Sequence, residues 1–158
     1  MTSPTIEAYK EVVGRFVTGV VVVTAETDDG PAGFTCQTFG SLSLDPLLIT
    51  FAAAVDGQSW SRVRARRCVG VNILADNQLD EAKRFATTGA DRFGAGQWRP
   101  GPAGSPLLVG SIAHLEGPIV AVSRHGDHDV AVVRVDFVAS YPGRPLIFYR
   151  GDFGGLAS

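Results

Sequence analysis

Gly33-Phe34-Thr35-Cys36-Gln37-Thr38-Phe39-Gly40-Ser41-Leu42-Ser43-Leu44-Asp45-Pro46 sets four hydroxyl residues and one glutamine between two apolar runs. Upstream, Val20 to Thr24 is β-branched and reads as a strand. Asp28-Asp29-Gly30-Pro31 is a turn, so Val20–Ala25 and Pro31–Phe34 form a predicted hairpin. Downstream, Leu47 to Ala52 is a continuous apolar run, the pattern of a strand buried on both faces. A polar segment between two such strands has two uses. Its amides and hydroxyls can hold the carbonyls and ring nitrogens of a planar heterocycle, or a phosphate. They can equally satisfy the irregular backbone of the segment itself. Residue types alone leave both open.

Outward from this segment the pattern is mostly short strands. Ser3-Pro4-Thr5 reads as a helix start, with Ile6, Tyr9, Val13 and Phe16 on one helical face. Ser59 is placed to cap a helix running to about Arg67, and Asp76 a second carrying Leu79, Ala82, Phe85 and Ala86. Between them Cys68 to Leu74 alternates, with Val69, Val71 and Ile73 on one face. Thr87 to Pro106 is rich in Gly, Pro and polar residues, which predicts a functional loop or a concealed element. Ser111 to Val122 reads as a strand broken at Gly117-Pro118, and Asp129 to Ser140 as the clearest strand. Arg124-His125-Gly126-Asp127-His128 is the turn joining them, and Leu146 to Arg150 is a last short strand. Many short strands with few helices predict a mainly β barrel or sandwich with flanking helices.

The 158 residues suit one domain, 1–158. Hydrophobic residues at 45% and a net charge of -2 exclude a disordered chain and speak against non-specific nucleic-acid binding. Cys36 and Cys68 are too few for a disulfide scaffold. Neither a secretory leader nor a membrane span is recognisable, so a cytoplasmic protein is expected. GxGxxG after a strand, a Walker lysine and GxSxG are all missing, which disfavours Rossmann, P-loop and α/β-hydrolase chemistry. His125 and His128 flank Asp127 but read more readily as a solvated hairpin tip than as metal ligands. Arg62, Arg64, Arg66 and Arg67 either meet a phosphate or form a solvated helical face. Trp60 and Trp98 are core residues or the walls of a flat-ligand site. Cys36 reads as a small buried side chain.

The ordered set of motifs resembles the short-chain flavin reductases, the reductase partners of two-component flavin-dependent monooxygenases. It runs through Arg15-Phe16-Val17-Thr18-Gly19-Val20, the polar segment quoted above, Ser59-Trp60 and Val71-Asn72-Ile73-Leu74. It continues through Asp91-Arg92-Phe93, Gly104-Ser105-Pro106, Gly126-Asp127-His128 and Pro145-Leu146-Ile147-Phe148-Tyr149-Arg150-Gly151. Val17 and Leu47 depart from the prolines usual in the family, and Phe153 stands where an aromatic, commonly Tyr, is seen.

The resemblance implies a Greek-key FMN-binding split β-barrel and a homodimer. It implies hydride transfer from NADH or NADPH to FMN or FAD, and delivery of reduced flavin to a partner oxygenase. On its motif matches, Thr35, Cys36, Gln37, Thr38, Ser43, Ala52, Ala53 and Ala54 contact flavin, and Ser59 and Trp60 its phosphate end. His128 is placed near the nicotinamide, bordered by Phe148, Tyr149, Arg150 and Gly151. Such chemistry asks for two stacked rings and exclusion of water, which fits a sequence with no obvious nucleophile. The competing readings are a non-catalytic split barrel that binds flavin, haem or a deazaflavin, and an oxidase similar to pyridoxamine-phosphate oxidases.

Overall fold

A computed structural model describes residues 2–157. Helix α1 (Ile6–Val13) starts at Thr5, whose hydroxyl accepts from the Ala8 amide at 3.2 Å. Strands β1 (Thr18–Gly19), β2 (Val21–Thr27) and β3 (Gly30–Cys36) follow. The predicted hairpin is β2–β3, with Thr27 opposite Gly30, which turns at φ 93°. Next come β4 (Gly40–Leu44), β5 (Leu47–Ala54), α2 (Gln58–Arg64), β6 (Cys68–Ile73) and α3 (Leu79–Ala86). The last third holds β7 (Trp98–Pro100), β8 (Pro106–Leu108), β9 (Ala113–His125), β10 (His128–Arg134), β11 (Phe137–Ser140), β12 (Leu146–Tyr149) and β13 (Asp152–Gly155).

The large sheet runs β3-β2-β6-β9-β10-β5-β4, with β11 joining β9. It is open, with β3 and β4 at its ends. Pro31 has no N–H, and an end strand is where a sheet tolerates it. A separate sheet β1-β12-β13 lies apart, and β7 pairs β8. The valine run Val20–Val23, which leads into β2, faces two cores. Val21 and Val23 pack with Phe51, Trp60, Val69 and Val133, while Val20 and Val22 pack with Leu74, Phe85, Leu108 and Leu146. This is a mainly β split barrel with three helices, as the sequence reading predicts.

Several local expectations change. Strand β5 is not buried on both faces. Ile49, Phe51 and Ala53 are buried while Leu48, Thr50, Ala52 and Ala54 are half-buried, because the second face meets no layer of the chain. Strand β6 is buried on both faces, since Gly70 and Asn72 lie under β8 while Val69 and Val71 enter the first core. Neither expected cap is formed: Gly57 precedes α2 and Gln78 precedes α3, without side-chain caps. Gly117-Pro118 does not break β9, which continues for 13 residues and changes partners there. Its first half pairs β6 and β11, and its second half pairs β10. The stretch Asp129–Ser140 is two strands, with buried Asp129, Ala131 and Val133 in β10.

Two buried polar residues fix the loop around β7–β8. Glu116 accepts from the Ser105 amide at 2.8 Å and the Ala103 amide at 2.9 Å. His114 donates from Nε2 to the Leu108 carbonyl at 2.8 Å, with Nδ1 3.4 Å from Arg99. Burial holds the His114 pKa below the usual histidine value, the Leu108 hydrogen bond opposes this, and the Arg99 charge adds to it. A lowered folded pKa means the unfolded chain binds the proton first. The stabilisation is therefore complete above the unfolded histidine pKa of about 6.5 and declines as pH drops below it. The urea midpoint is expected to fall as pH drops below about 6.5, less so in His114→Gln. A midpoint that rises on acidification contradicts this.

Candidate functional site

A cavity of about 720 Å³ lies between β3, the end of β5, the start of α2 and loop 88–93. Gly33 lines it with backbone alone, because the strand packs too closely on β2 and Phe85 to carry a side chain. A Cβ there would stand 2.7 Å from the Val23 carbonyl oxygen and 3.1 Å from Phe85. Ala53 and Ala54 keep the adjoining wall low.

Arg92 projects across this cavity from the long loop. Its Nη1 donates to the Gly33 carbonyl at 2.8 Å and to the Ser59 hydroxyl, and Nη2 donates to the Thr87 carbonyl at 3.1 Å. Partial burial pushes its pKa down from the usual arginine value, yet a guanidinium remains charged at any physiological pH. The Ser59 hydroxyl accepts from Arg92 and keeps its own proton to donate. The pair therefore offers a cation and a hydroxyl donor side by side, a setting suited to an anionic oxygen.

Trp60 is 2% exposed, in edge-on contact with Phe34 and Phe51. Its indole N–H donates to Asp129 at 2.8 Å. The ring is thus a core member beneath the cavity. Asp129 also accepts from Arg64 at 3.0 Å and Arg124 at 2.7 Å. Arg124 and then Trp60 hold its carboxyl below the usual range. These bonds lock α2 to the β9–β10 hairpin. At the tip of that hairpin His128 pairs with Ala54, and Val55 donates to the Asp127 carbonyl at 3.0 Å. His128 Nδ1 lies 2.8 Å from Asp127, which lowers the Asp127 pKa.

The polar segment is more structural than its composition suggests. Thr35 donates to the Ala82 carbonyl of α3 at 2.6 Å. Thr38 accepts from the Ala52 amide at 2.8 Å and lies 3.1 Å from the Ala52 carbonyl. Cys36 is buried beside Thr38, and burial pushes its thiol up, away from reactivity. Ser43 accepts from the Asp45 amide at 3.3 Å. Gln37 is half-buried.

The structure thus gathers Ala53, Ala54, Ser59 and Trp60 in one cavity, with His128 beside Ala54. Thr35, Cys36, Gln37, Thr38, Ser43 and Ala52 do not line it. Phe148 to Gly151 do not line it. They belong to the β12–β13 hairpin, where Phe148 packs on Phe153 and Arg150, at φ 50°, donates to Gly14 at 3.0 Å. Arg92 stands in the quoted Asp91-Arg92-Phe93 motif, but the sequence reading assigns it no role. Helix α2 ends at Arg64, short of the expected Arg67, and three of the four arginines at 62–67 are engaged within the chain. Arg62 donates to Thr27 and Gly30, Arg64 to Asp129, and Arg66 lies 3.2 Å from Asp28. Among the described residues no group of three or more His, Cys, Asp or Glu is placed to hold a metal. Nor is any helix there long and apolar enough to cross a membrane.

The mainly β split barrel is the fold of the flavin reductases. The chain belongs to the flavin reductase family: the family model described as "Flavin reductase like domain" matches residues 13–157. The reductase subunit HsaB of a flavin-dependent monooxygenase from Mycobacterium tuberculosis is 38% identical over 151 residues, covering 94% of this chain and 81% of the relative. An NADH-dependent flavin reductase from a Rhodococcus species is 34% identical over 154 residues, covering 93% of this chain and 84% of its own. Among solved structures, a Streptomyces globisporus NADH:FAD oxidoreductase in complex with NAD and FAD fragments superposes with a TM-score of 0.92. It is 31% identical, covering 99% of this chain and 96% of the other.

Proposed function

We propose that the protein is an NAD(P)H:flavin oxidoreductase that reduces FMN or FAD and supplies the reduced flavin to a partner monooxygenase. One observation carries the reading: the cavity with Arg92 and Ser59 on one side and the His128 hairpin beside Ala54 on the other. A flavin bound there accepts hydride from the reduced nicotinamide. The chain's own part is to hold and orient. Arg92 and Ser59 meet the phosphate. The small Ala53 and Ala54 admit a flat ring, and the amides of the Thr35–Thr38 segment, with Gln37, Thr38, Ser43 and Ala52 nearby, border it. Trp60 stiffens the floor from below. Asp127 engages His128 Nδ1, which leaves Nε2 to orient the carboxamide without transferring a proton.

Residues 1–158 act as one domain, in the cytoplasm, without membrane or nucleic acid. The homodimer is supported by exposed Leu42, Leu44 and Leu47 along β4–β5, by Ile6 and Tyr9 on α1 and by Phe16 just after it. Light scattering should give the mass of two chains, and a single-chain mass at micromolar concentration removes that part. For the activity, anaerobic NADH or NADPH should bleach the visible absorbance of added FMN or FAD. Flavin binding without bleaching would leave a binding protein instead.

His128→Ala should lower kcat/KM for the nicotinamide roughly 2- to 13-fold, the cost of one hydrogen bond, with flavin affinity nearly unchanged. His125→Ala is the control, since His125 lies against Ser123 at 3.0 Å. Equal losses in both variants mean the hairpin matters only as structure.

A further inference from the structure

Asp129 places a carboxylate where the core asks for none. It stands on the inward face of β10 in register with Ala53, with its side chain 3% exposed. The inward residues that follow it on the strand, Ala131 and Val133, are apolar. Burying an ion pair costs in desolvation about what the pairing gives back, so a carboxylate here is a poor device for stability. What it does provide is a fixed direction. We propose that Asp129 is a positioning residue for hydride transfer: it sets helix α2, which carries Ser59, against the β9–β10 hairpin, which carries His128, and so fixes the spacing of flavin and nicotinamide. The proposal rests on Ser59 and His128 serving those two ligands.

The connections divide by oxygen atom. Oδ2 accepts from two groups of α2, the Trp60 indole at 2.8 Å and Arg64 at 3.0 Å. Oδ1 accepts from Arg124 of β9 at 2.7 Å. One carboxylate therefore spans helix and hairpin. The donors are unequal. The Arg64 and Arg124 side chains are 45% and 56% exposed, so each can turn to water if its bond opens. Trp60 is buried, and its N–H would be left without a partner, which is the costly outcome. The indole bond is thus the one that holds the spacing.

Each end of the span lies one residue from the site. Ser59 precedes Trp60 on α2, and His128 precedes Asp129 on β10. Successive side chains of a strand point to opposite faces. With Asp129 held inward by three donors, His128 is kept turned outward, in register with Ala54. The Val55 amide, donating to the Asp127 carbonyl at 3.0 Å, closes the ladder at the hairpin tip. That amide reports whether the tip stays in place.

The test compares Asp129→Ala and Asp129→Asn with the wild type. Anaerobic stopped flow gives the rate of FMN reduction at saturating NADH, titration gives KM for NADH and the FMN dissociation constant, and hydrogen exchange in the flavin-free protein reads the Val55 amide. In Asp129→Ala the limiting rate should fall about tenfold, within the roughly 100-fold that a misplacement of about 1 Å can cost, while KM and the FMN constant stay within about twofold. Exchange at Val55 should quicken, with that at Val23 in β2 unchanged. Asp129→Asn keeps an acceptor for the indole and should recover most of the rate. Trp60→Phe removes the N–H, keeps an aromatic ring and should repeat the loss. Arg134→Ala opens the exposed pair with Asp136 on the far side of β10 and should leave the rate unchanged. If Asp129→Ala does not fold, Trp60→Phe decides. A folded Asp129→Ala or Trp60→Phe that reduces flavin at the wild-type rate, however low its melting temperature, overturns the proposal, as does an equal loss in Arg134→Ala. A wild-type protein that reduces no flavin with either nicotinamide overturns the proposed function itself, and this inference with it.

Discussion

Arg92→Ala is expected to weaken FMN binding by about 10- to 100-fold. A hydrogen bond to a charged group contributes about 1.5–3 kcal/mol, and each 1.4 kcal/mol is about tenfold. The guanidinium also ties loop 87–93 to β3 through Gly33 and Thr87, so part of the loss could come from a slackened loop. Riboflavin separates the two effects, because it has the same ring and no phosphate. Its affinity should change far less than that of FMN. Arg92→Lys keeps the charge but not the planar fork, and an intermediate loss is expected. Equal losses for FMN and riboflavin, with an unchanged melting temperature, would move the phosphate away from Arg92.

The largest effect on stability is expected from Gly117→Ala. At this point β9 passes from one set of partners to the next, and the β10–β11 junction crosses closely. A Cβ on residue 117 would overlap the Arg134 carbonyl oxygen and lie 3.2 Å from the Asp136 amide nitrogen. Those neighbours are backbone, so no rotamer change relieves the overlap. Asp136 donates to the Glu116 carbonyl at 3.0 Å, and this bond would have to open. Overpacking typically costs about 1–3 kcal/mol, and a backbone clash belongs at the upper end. For a chain of this length that is a fall in melting temperature of roughly 6–12 °C. Gly19→Ala is the control, with nothing within 4 Å of the added carbon. If both variants melt together, the crossing admits a methyl group and the close approach does not limit stability.

The β2–β3 and β9–β10 hairpins were legible because each carries its signal locally, in Asp28-Asp29-Gly30 and in Gly126-Asp127. Strands β1, β4 and β13 were not, being short and rich in Gly, Ser or Asp. Strand β7 lay inside a stretch, Thr87 to Pro106, that composition marks as loop, and its partner β8 begins at that stretch's last residue. Helix caps failed for a different reason. Ser59 and Asp76 are good capping types, but the direction from which the chain enters the helix decides the cap. Ser59 instead accepts from Arg92, which is distant in sequence. In the site, no local pattern announces that Thr35 bonds to α3 or that Arg92 crosses to β3. Both are set by tertiary approach. The ordered motifs pointed to the segment, and only its tertiary neighbours show that its hydroxyls are spent on structure.

The two ends of the large sheet are unlike. On β3, Pro31 removes a donor and Gly30 bends the chain, so an incoming strand finds a broken row of hydrogen bonds. On β4, Leu44 is 84% exposed and Leu42 lies beside it. A sheet with two adhesive ends can add copies head to tail without limit and grow into fibres. With one end blunted, growth has only like-to-like contact available, and that contact closes after two copies. Pro31 thus bears on the size of any assembly as well as on the local shape of its strand: replacing it by Thr would restore a donor at the blunt end and open a route to filaments.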